Sequence, residues 1–257
     1  MAFDTKRLQN CLPDVKLYAF DEIDSTSLFA KRLLNETNQP MSKIPALILA
    51  NRQTNGYGRR DRQFYSPADV GVYMTMLVPM TENQLHEPGT MTLNLAVAVQ
   101  QVVQKQLGVN LAIKWVNDLY QGQRKVTGIL VEMLQMPTQQ MQGIAAIGIG
   151  MNLNPTVFPN ELQAKAGAIT SAHVDREGLV AGLFEACLQN LTLPFSAVRD
   201  YYLDHSLVLN QTVELVRGKQ TIQGRVVDID TEGRLILISQ QQRYQFSAGE
   251  ITKVNLT

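Results

Sequence analysis

Hydrophobic and polar positions alternate most clearly at the start of the segment 111–132. Leu111, Ile113 and Trp115 point to one side of an extended chain, while the intervening residues point to the other. A period of two is typical of a half-buried β-strand. The pattern therefore predicts a strand with one face in the core and the other towards solvent.

Polar residues then end this strand and form a hairpin. Asn117 and Asp118 break the alternation, and residues 121–124 have the composition of a turn. A second strand follows as far as Glu132 and is rich in Val, Ile, Thr and Leu. Gly128 interrupts it, which indicates a β-bulge or a close approach of another group to the backbone.

The rest of the first 208 residues mixes apolar runs, which predict buried strands, with periodic stripes, which predict helices. Strands are predicted over residues 16–20, 45–50, 70–79 and 143–154. Helices are predicted to begin at Asp24–Ser27, to cover 92–107, to follow the stripe 179–191 and, more weakly, to include 198–202. Cys187 lies on that stripe and is predicted to be a core residue.

From about residue 210 the chain changes to short strands separated by turns. Residues 230–233 predict a hairpin turn between two of these strands. Five strands are predicted, over residues 213–217, 221–230, 234–239, 242–246 and 251–254. We therefore expect two domains, a larger domain over residues 1–208 and a small all-β barrel over residues 209–257.

Composition narrows the class of protein. The 257 residues carry 23 Lys and Arg against 23 Asp and Glu, so no net charge favours binding to nucleic acid or acidic membranes. Two cysteines form no disulfide framework, which favours a reducing compartment. No signal peptide and no apolar run near the ~18 residues of a membrane span is evident. We expect a cytoplasmic protein.

A basic, glycine-containing loop lies between residues 51 and 67. It holds four arginines and two glycines, a composition that cannot form a core. Glycines let backbone N–H groups close around an anion, and arginines make bidentate contacts with phosphate or carboxylate. No Walker-type motif and no regular Gly-x-Gly-x-x-Gly follows a strand. The alternative interpretation is a flexible basic surface loop.

The hairpin and one helix start offer further polar groups. Two lysines, Lys114 and Lys125, accompany Asn117 and Asp118 near the strand ends, a set suited to gripping an anion and a metal-bound phosphate. The alternative is an ordinary hairpin with a solvated tip. Likewise, the hydroxyls at Asp24–Ser27 either cap a helix or bind the polar head of a ligand.

In combination, these segments resemble the biotin protein ligases, which attach biotin to a lysine of carboxylase carrier domains. The resemblance covers the chain from about residue 16 to its end. Its motifs are Asp24-Ser-Thr before a helix, Gln53 with Gly56-Tyr-Gly-Arg-Arg-Asp-Arg62, Lys114-Trp-Val-Asn-Asp118, Lys125-x-x-Gly-Ile-Leu-x-Glu132, Gly148-x-Gly-x-Asn152 and Gly249-Glu-Ile251.

The sequence also departs from the family pattern at five positions. Tyr57 replaces the first arginine of the basic loop, and Asp61 replaces a later glycine. Phe64 stands where the family has tryptophan, Val116 where it has proline and Ser27 where it has asparagine. An aromatic face is kept at Phe64, and Val116 suits a strand. The departures at 57 and 61 affect the finer contacts of the loop rather than its role.

The resemblance implies an α/β fold, with a mixed-sheet biotin/lipoate-ligase-like catalytic domain followed by the small all-β barrel. It implies a set of residues that hold biotin: Ser25, Thr26, Ser27, Gln53, Gly56, Tyr57, Gly58, Arg59, Lys125, Gly128 and Gly148. It implies a second set that holds ATP: Arg59, Arg62, Phe64, Lys114, Asn117, Asp118 and Asn152. Asn117 and Asp118 would also hold Mg²⁺.

The implied reaction is the AMP-forming activation of biotin by ATP and its transfer to the biotin carboxyl carrier protein of acetyl-CoA carboxylase. Lys125 and Arg59 would cancel the repulsion between the carboxylate and the phosphate. The arginine loop would fold over the reactive biotinyl-5'-AMP and exclude water. Asp118 would act as base for the acceptor lysine, whose free pKa is about 10.4.

Three alternatives remain. A lipoate-type ligase would use the same reaction type, but the terminal barrel and Lys114-Trp-Val-Asn-Asp118 argue against it. A ligase–repressor would carry an N-terminal winged helix of roughly 60 residues or more, whereas 15 residues precede the first predicted strand; we expect no repressor function. A ligand-binding regulator without turnover is the third. A monomer or a weak homodimer is expected.

Overall fold

The computed structural model describes residues 3–36, 45–80, 88–135 and 143–255. Its first seven strands are β1 (Lys16–Ile23), β2 (Ala46–Gln53), β3 (Gly71–Met80), β4 (Ala112–Lys114), β5 (Asp118–Gln121), β6 (Arg124–Gln135) and β7 (Gly143–Asn152). They form one sheet in the order β1-β2-β3-β7-β6-β5-β4. β1 and β2 run parallel, and the other neighbouring pairs run antiparallel. The predicted mixed-sheet α/β fold is confirmed.

Helices cover both faces of this sheet, which explains why its central strands are apolar runs. The helices are α1 (Thr5–Cys11), α2 (Thr26–Glu36), α3 (Pro88–Leu107), α4 (Arg176–Asn190) and α5 (Phe195–Asp204). Ala46 and Ile48 of β2 pack with Ala30 of α2, whereas Leu47 and Leu49 belong to the main core with α3 and α4. Successive side chains of a strand thus enter opposite layers. Each layer has its own helix partners.

Helix α1 is absent from the sequence-based prediction. Its start is marked by Asp4, whose side chain accepts hydrogen bonds from the backbone N–H groups of Lys6 and Arg7. Such a cap is a recognisable signal, but Leu8 is the one buried residue of the helix. Two turns with so few apolar residues show no clear period.

The core position predicted for Cys187 is confirmed, because its side chain is fully buried.

The C-terminal domain is a five-stranded antiparallel sheet. Its strands are β8 (Thr212–Arg217), β9 (Gln220–Ile229), β10 (Leu235–Ser239), β11 (Gln242–Phe246) and β12 (Glu250–Asn255), in the order β11-β10-β9-β8-β12. The predicted turn at residues 230–233 closes with a hydrogen bond from the N–H of Gly233 to the carbonyl of Asp230. The division at residue 208 stays a prediction; Asn210 already donates a hydrogen bond to Val226.

The predicted hairpin of residues 111–132 is wrong in one respect. The chain turns at residues 115–117, and Asp118 begins β5 instead of ending a strand. Val116, which was expected to suit a strand, lies in that turn. The second turn is confirmed, since Gly122 has a φ of 57° between β5 and β6. The segment is therefore a three-stranded meander, which the short alternating run could not reveal.

The tryptophan of this meander joins the two domains. The side chain of Trp115 is 3% exposed, and its Nε1 donates a 3.0 Å hydrogen bond to the carbonyl of Gly233. Ile113 also donates to the carbonyl of His205 at 2.7 Å and accepts from the N–H of Leu207 at 2.8 Å. The segment leading into the C-terminal domain is thus tied to the edge strand β4.

Among the described residues, none of the helices is both long and apolar enough to span a membrane.

We expect Trp115→Phe to lower the free energy of unfolding by about 1–3 kcal/mol, because the buried carbonyl of Gly233 loses its donor. Urea unfolding followed by circular dichroism measures this, since the variant lacks the single tryptophan. Tyr202→Phe is the control. Its hydroxyl is buried without a hydrogen-bond partner among the described residues, so its removal should be neutral or stabilising. A Trp115→Phe protein as stable as the parent would contradict this account of the junction.

Candidate functional site

A cavity of about 730 Å³ opens between the α2 side of the large sheet, the basic loop and strand β12. This volume lies in the ordinary range for small-molecule sites, ~300–1,000 Å³. Most residues predicted to form a site line this cavity: Thr26, Ser27, Gln53, Tyr57, Gly58, Arg59, Arg62, Phe64, Lys114, Asn117, Asp118, Lys125, Gly128, Gly148 and Asn152. Ser25 and Gly56 do not line it. The structure thus brings the predicted residues together, while their individual roles stay predictions.

Paired glycines form part of the cavity floor. Gly128 of β6 lies opposite Gly150 of β7, and Gly148 lies opposite Leu130. A Cβ atom at Gly150 would fall 2.6 Å from the ring of Phe64, and one at Gly148 would fall 3.1 Å from Oγ of Ser27. The glycines therefore let other groups approach the backbone closely. At Gly150 the group that does so is the Phe64 ring.

A β-bulge places the Lys125 side chain on the same face. Tyr120 pairs with Lys125 and Leu119 pairs with Thr127, so Val126 is an extra residue in β6. Val126 and Thr127 are both fully buried, and the alternation is shifted by one residue. The ammonium of Lys125 consequently lies 3.0 Å from where a Cβ of Gly128 would be. The bulge expected near Gly128 lies two residues earlier, and the expected close approach at Gly128 is made by Lys125.

Lys125 is fixed by its side chain and its backbone. Its Nζ forms an ion pair with Oδ1 of Asp118 at 2.7 Å. Its N–H donates to the carbonyl of Lys165 at 2.8 Å, and its carbonyl accepts from the N–H of Gly167 at 2.9 Å. The segment that follows β7 therefore pairs with the start of β6 at Ala166. Sequence reasoning assigned no role to this segment.

The basic loop reaches the meander through Arg59. Its Nη1 donates a 3.0 Å hydrogen bond to Oδ1 of Asn117, whose own Nδ2 donates to the carbonyl of Ile129 at 3.0 Å. Burial lowers the pKa of the Arg59 guanidinium, which nevertheless stays charged because arginine is so basic. A half-buried cation is thus held by a neutral acceptor. That leaves its charge available to an anion in the cavity.

Two further arginines of the loop are held by the C-terminal domain. Nη1 of Arg60 lies 2.7 Å from Oε2 of Glu250, and Nη1 of Arg62 lies 2.5 Å from Oε1 of the same carboxylate. Glu250 begins β12 and also lines the cavity. The sequence motif around Glu250 supports the resemblance but gives no partner for it, since a contact across 188 residues leaves no local pattern. The C-terminal domain therefore contributes directly to the cavity wall.

Lys114 supplies another cation. Its Nζ lies 3.4 Å from the hydroxyl of Tyr120 and 5.2 Å from the centre of that ring. Burial lowers the pKa of the Lys114 ammonium, and burial raises the pKa of Tyr120 to about 12. The phenol therefore remains neutral at physiological pH. Tyr120 was not predicted as a site residue.

The start of α2 closes the other end of the cavity. Oε1 of Gln53 accepts hydrogen bonds from the N–H and the hydroxyl of Thr26, at 2.9 and 3.2 Å. Ser27 bonds to the hydroxyl of Thr75 at 3.1 Å, and Ser25 Oγ accepts from the N–H of Leu28 at 3.4 Å. The capping interpretation is thus confirmed for Ser25. Thr26 and Ser27 combine structural bonds with a place in the cavity wall.

Gly56 does not line the cavity, but close packing at its position leaves no room for a side chain. A Cβ there would fall 2.8 Å from both Nε2 of Gln53 and the carbonyl of Phe64, at the base of the basic loop. Elsewhere in the loop, the Tyr57 hydroxyl donates a 2.8 Å hydrogen bond to Oε2 of Glu132. Asn152 is buried at the end of β7, with its backbone carbonyl bonded to the N–H of Ile169.

The residues predicted to hold Mg²⁺ offer few protein donors. Within residues 3–36, 45–80, 88–135 and 143–255, no group of three His, Cys, Asp or Glu side chains converges. Mg²⁺ in nucleotide sites is held through one or two carboxylates together with phosphate oxygens and water. Asp118 and Asn117 fit that limited protein share. They do not form a complete cage.

Residues 19–152 match the model of the Biotin/lipoate A/B protein ligase family, and residues 208–254 match the Biotin protein ligase C terminal domain. Over 224 residues the chain is 30% identical to the bifunctional ligase/repressor BirA of Bacillus subtilis (strain 168), covering 84% of this chain and 67% of that protein. It is 27% identical over 242 residues to the biotin–[acetyl-CoA-carboxylase] ligase of Paracoccus denitrificans, covering 89% and 96%.

Solved structures agree on the fold. The biotin protein ligase of Aquifex aeolicus, in complex with biotin and ATP, superposes with a TM-score of 0.76 at 24% identity and covers 93% of this chain and 97% of that one. At this identity the match concerns the architecture, namely the mixed sheet followed by the antiparallel C-terminal sheet.

We expect Gly150→Ala to displace the Phe64 ring, because the new Cβ would lie 2.6 Å from it. Such overpacking costs about 1–3 kcal/mol in the free energy of unfolding, measured by urea titration. Gly58→Ala is the matched control, since the nearest atom to a Cβ there is 3.9 Å away. Equal stability losses in the two variants would show that Phe64 does not need the glycine surface.

Proposed function

This chain belongs to the Biotin/lipoate A/B protein ligase family and carries the C-terminal domain of biotin protein ligases, and from that premise we propose an ATP-dependent ligation of biotin in two steps. Biotin is first activated to biotinyl-5'-AMP with release of pyrophosphate. It is then transferred to a lysine of the biotin carboxyl carrier protein of acetyl-CoA carboxylase. The names of the relatives and the Aquifex aeolicus complex with biotin and ATP support these substrates.

One observation carries the proposal. Lys125 and Arg59 present cations to the same cavity, and each is held by an acceptor that a substrate anion can replace. Joining a carboxylate to a triphosphate brings two anions together, so positioned cations stabilise the transition state. The two cations thus lie in the cavity where both anions would be brought together.

In the first step a carboxylate oxygen of biotin attacks the α-phosphorus of ATP. A new O–P bond forms, and the bond to pyrophosphate breaks with the electron pair leaving on pyrophosphate. Lys125 exchanges its contact with Asp118 for the biotin carboxylate, and Arg59 turns from Asn117 towards the phosphate. Lys114 and Arg62, at the same wall, offset the charge of the remaining phosphates.

Mg²⁺ would be held by Asp118 and Asn117 together with phosphate oxygens, and it would offset part of the phosphate charge. The Lys125 contact at 2.7 Å occupies one oxygen of Asp118 beforehand. Transfer of Lys125 to biotin therefore releases that oxygen. This one movement of Lys125 thus serves both biotin and the magnesium-bound ATP.

In the second step the amine of the acceptor lysine attacks the carbonyl carbon of the mixed anhydride. A C–N bond forms, the C–O bond breaks, and AMP leaves with the electron pair. Asp118 takes the proton from the amine, because it is the carboxylate nearest to Lys125 at this end of the cavity. The basic loop covers the intermediate and keeps water away from it.

The test is exchange of pyrophosphate into ATP with different carboxylic acids. We expect exchange that depends on both biotin and Mg²⁺. A lipoate-type ligase would give exchange with lipoate or octanoate but not with biotin. A regulator without turnover would bind biotin and show no exchange with any acid, and either result would contradict the proposed function.

We expect Lys125→Ala to raise the barrier to adenylate formation by roughly 2–4 kcal/mol, since the cation faces charge that develops in the transition state. Folding stability should change by about 1 kcal/mol or less, because the ion pair with Asp118 is partly exposed. Single-turnover kinetics and thermal unfolding measure the two effects. Lys105→Ala, in the last turn of α3, is the control. Near-normal turnover with a large loss of stability would make Lys125 a structural residue.

A further inference from the structure

Tyr57, at the start of the basic loop, takes part in a cluster of three side chains. Its hydroxyl donates a 2.8 Å hydrogen bond to Oε2 of Glu132, and Nζ of Lys31 lies 2.8 Å from Oε1 of the same carboxylate. The Lys31 ammonium also lies 5.2 Å from the centre of the Tyr57 ring. The cluster is therefore closed, because each member contacts the other two.

These three residues come from three separate segments of the chain, which meet in the folded protein. Lys31 lies one helical turn after Ser27 on α2, and therefore on the same side of that helix. Glu132 is two and four residues beyond Leu130 and Gly128, so all three share the cavity face of β6. Tyr57 belongs to the loop. The cluster thus ties the loop to the sheet and to the helix at the end of the cavity that Thr26 and Ser27 form.

The charges of the cluster suit a lasting contact. Burial raises the pKa of Tyr57, so the phenol keeps the proton that it donates to Glu132. Burial acts to lower the pKa of the Lys31 ammonium, but the hydrogen bonds and charge interactions with Glu132 and Tyr57 together outweigh burial and raise that pKa. A hydrogen bond to an ionised acceptor is stronger than one between neutral groups. Lys31 offsets the negative charge of the Glu132 carboxylate through one of its oxygens, and Tyr57 donates its hydrogen bond to the other oxygen.

Backbone hydrogen bonds hold the base of the loop to the end of β1, since Thr54 and Asn55 donate to the carbonyls of Ile23 and Asp24, whereas the tip of the loop bonds only to itself among the backbone bonds of the described residues. Gly58 N–H donates to the carbonyl of Arg62, and Phe64 N–H donates to the carbonyl of Gly56, both at 2.8 Å. Between these bonds, Arg60 adopts a positive φ of 57°. The direction of the loop therefore depends on its side chains. Tyr57 is two residues from Arg59, so fixing one limits the positions open to the other.

We propose that Tyr57 is a positioning residue for the ligation: its bond to Glu132 fixes the start of the loop, so that Arg59 lies on Asn117 before a substrate binds. This role rests on the function proposed above, although the fixing of the loop does not depend on it. An ordered loop spares the substrate the cost of ordering it. Loss of the bond should therefore raise KM for biotin and leave kcat nearly unchanged, because saturating substrate restores the order.

Trypsin tests the order of the loop, because Arg59, Arg60 and Arg62 are cleavage sites within it. In the substrate-free protein, Tyr57→Phe keeps the ring beside Lys31 and removes the hydroxyl. We expect cleavage after these arginines to become about tenfold faster, as proteolysis follows the population of the open form. KM for biotin should rise by a similar factor. Mass spectrometry identifies the cleaved bonds.

Three variants complete the test. Tyr244→Phe removes a hydroxyl that donates to Gln242 in the C-terminal domain at 2.8 Å and should leave the cleavage rate unchanged. Glu132→Gln keeps an oxygen that can accept from Tyr57, so it should retain much of the protection. Glu132→Ala should lose the protection against cleavage. The two Glu132 variants also test the role of the hydrogen bond if Tyr57→Phe fails to fold.

Unchanged cleavage in both Tyr57→Phe and Glu132→Ala would overturn the proposal, as would faster cleavage without any change in KM. Equal protection in Glu132→Ala and Glu132→Gln would equally exclude the hydrogen bond as the cause. If the parent protein shows no exchange with biotin, the function proposed above fails, while the cleavage rates still decide whether Tyr57 fixes the loop.

Discussion

Mutual repulsion among cations is the constraint on which the whole site depends. Six basic residues line one cavity: Arg59, Arg60, Arg62, Lys114, Lys125 and Lys165. Asp118 pairs with Lys125, Asn117 accepts from Arg59, and Glu250 pairs with Arg62. Because these acceptors come from β5, the turn before it and the C-terminal domain, the positions of three structural elements are linked through one set of charges.

Local sequence patterns predicted the elements well, because burial on one or both faces leaves a period that can be read directly. The apolar run of β2 and the stripe of α4 are examples, and both lie as expected. The meander shows the limit. Asp118 looks like the end of a strand, yet it begins one, because tertiary pairing with Lys114 and Gly128 decides its conformation.

The membership of the site could be predicted by resemblance, whereas its internal connections could not. The pairing of Glu250 with the loop arginines joins distant parts of the chain. Lys31, Glu132 and Tyr57 likewise come from three segments; Glu132 and Tyr57 lie in the family motifs, but no spacing pairs them with each other or with Lys31. Single charged residues on half-exposed positions are common, so a sequence gives no reason to pair these ones. Only the folded sheet shows which of them meet.

The extra residue in β6 has a consequence for how this protein can vary. A strand counts residues in twos, and Val126 makes that count odd between Lys125 and Gly128. Without Val126 the pairing of β5 with β6 would be regular, and Lys125 and Gly128 would be two positions apart and would still share the cavity face. Loss of one residue here would therefore leave the ammonium in the cavity, and what would be lost is the bend and the added twist with which the bulge aims it.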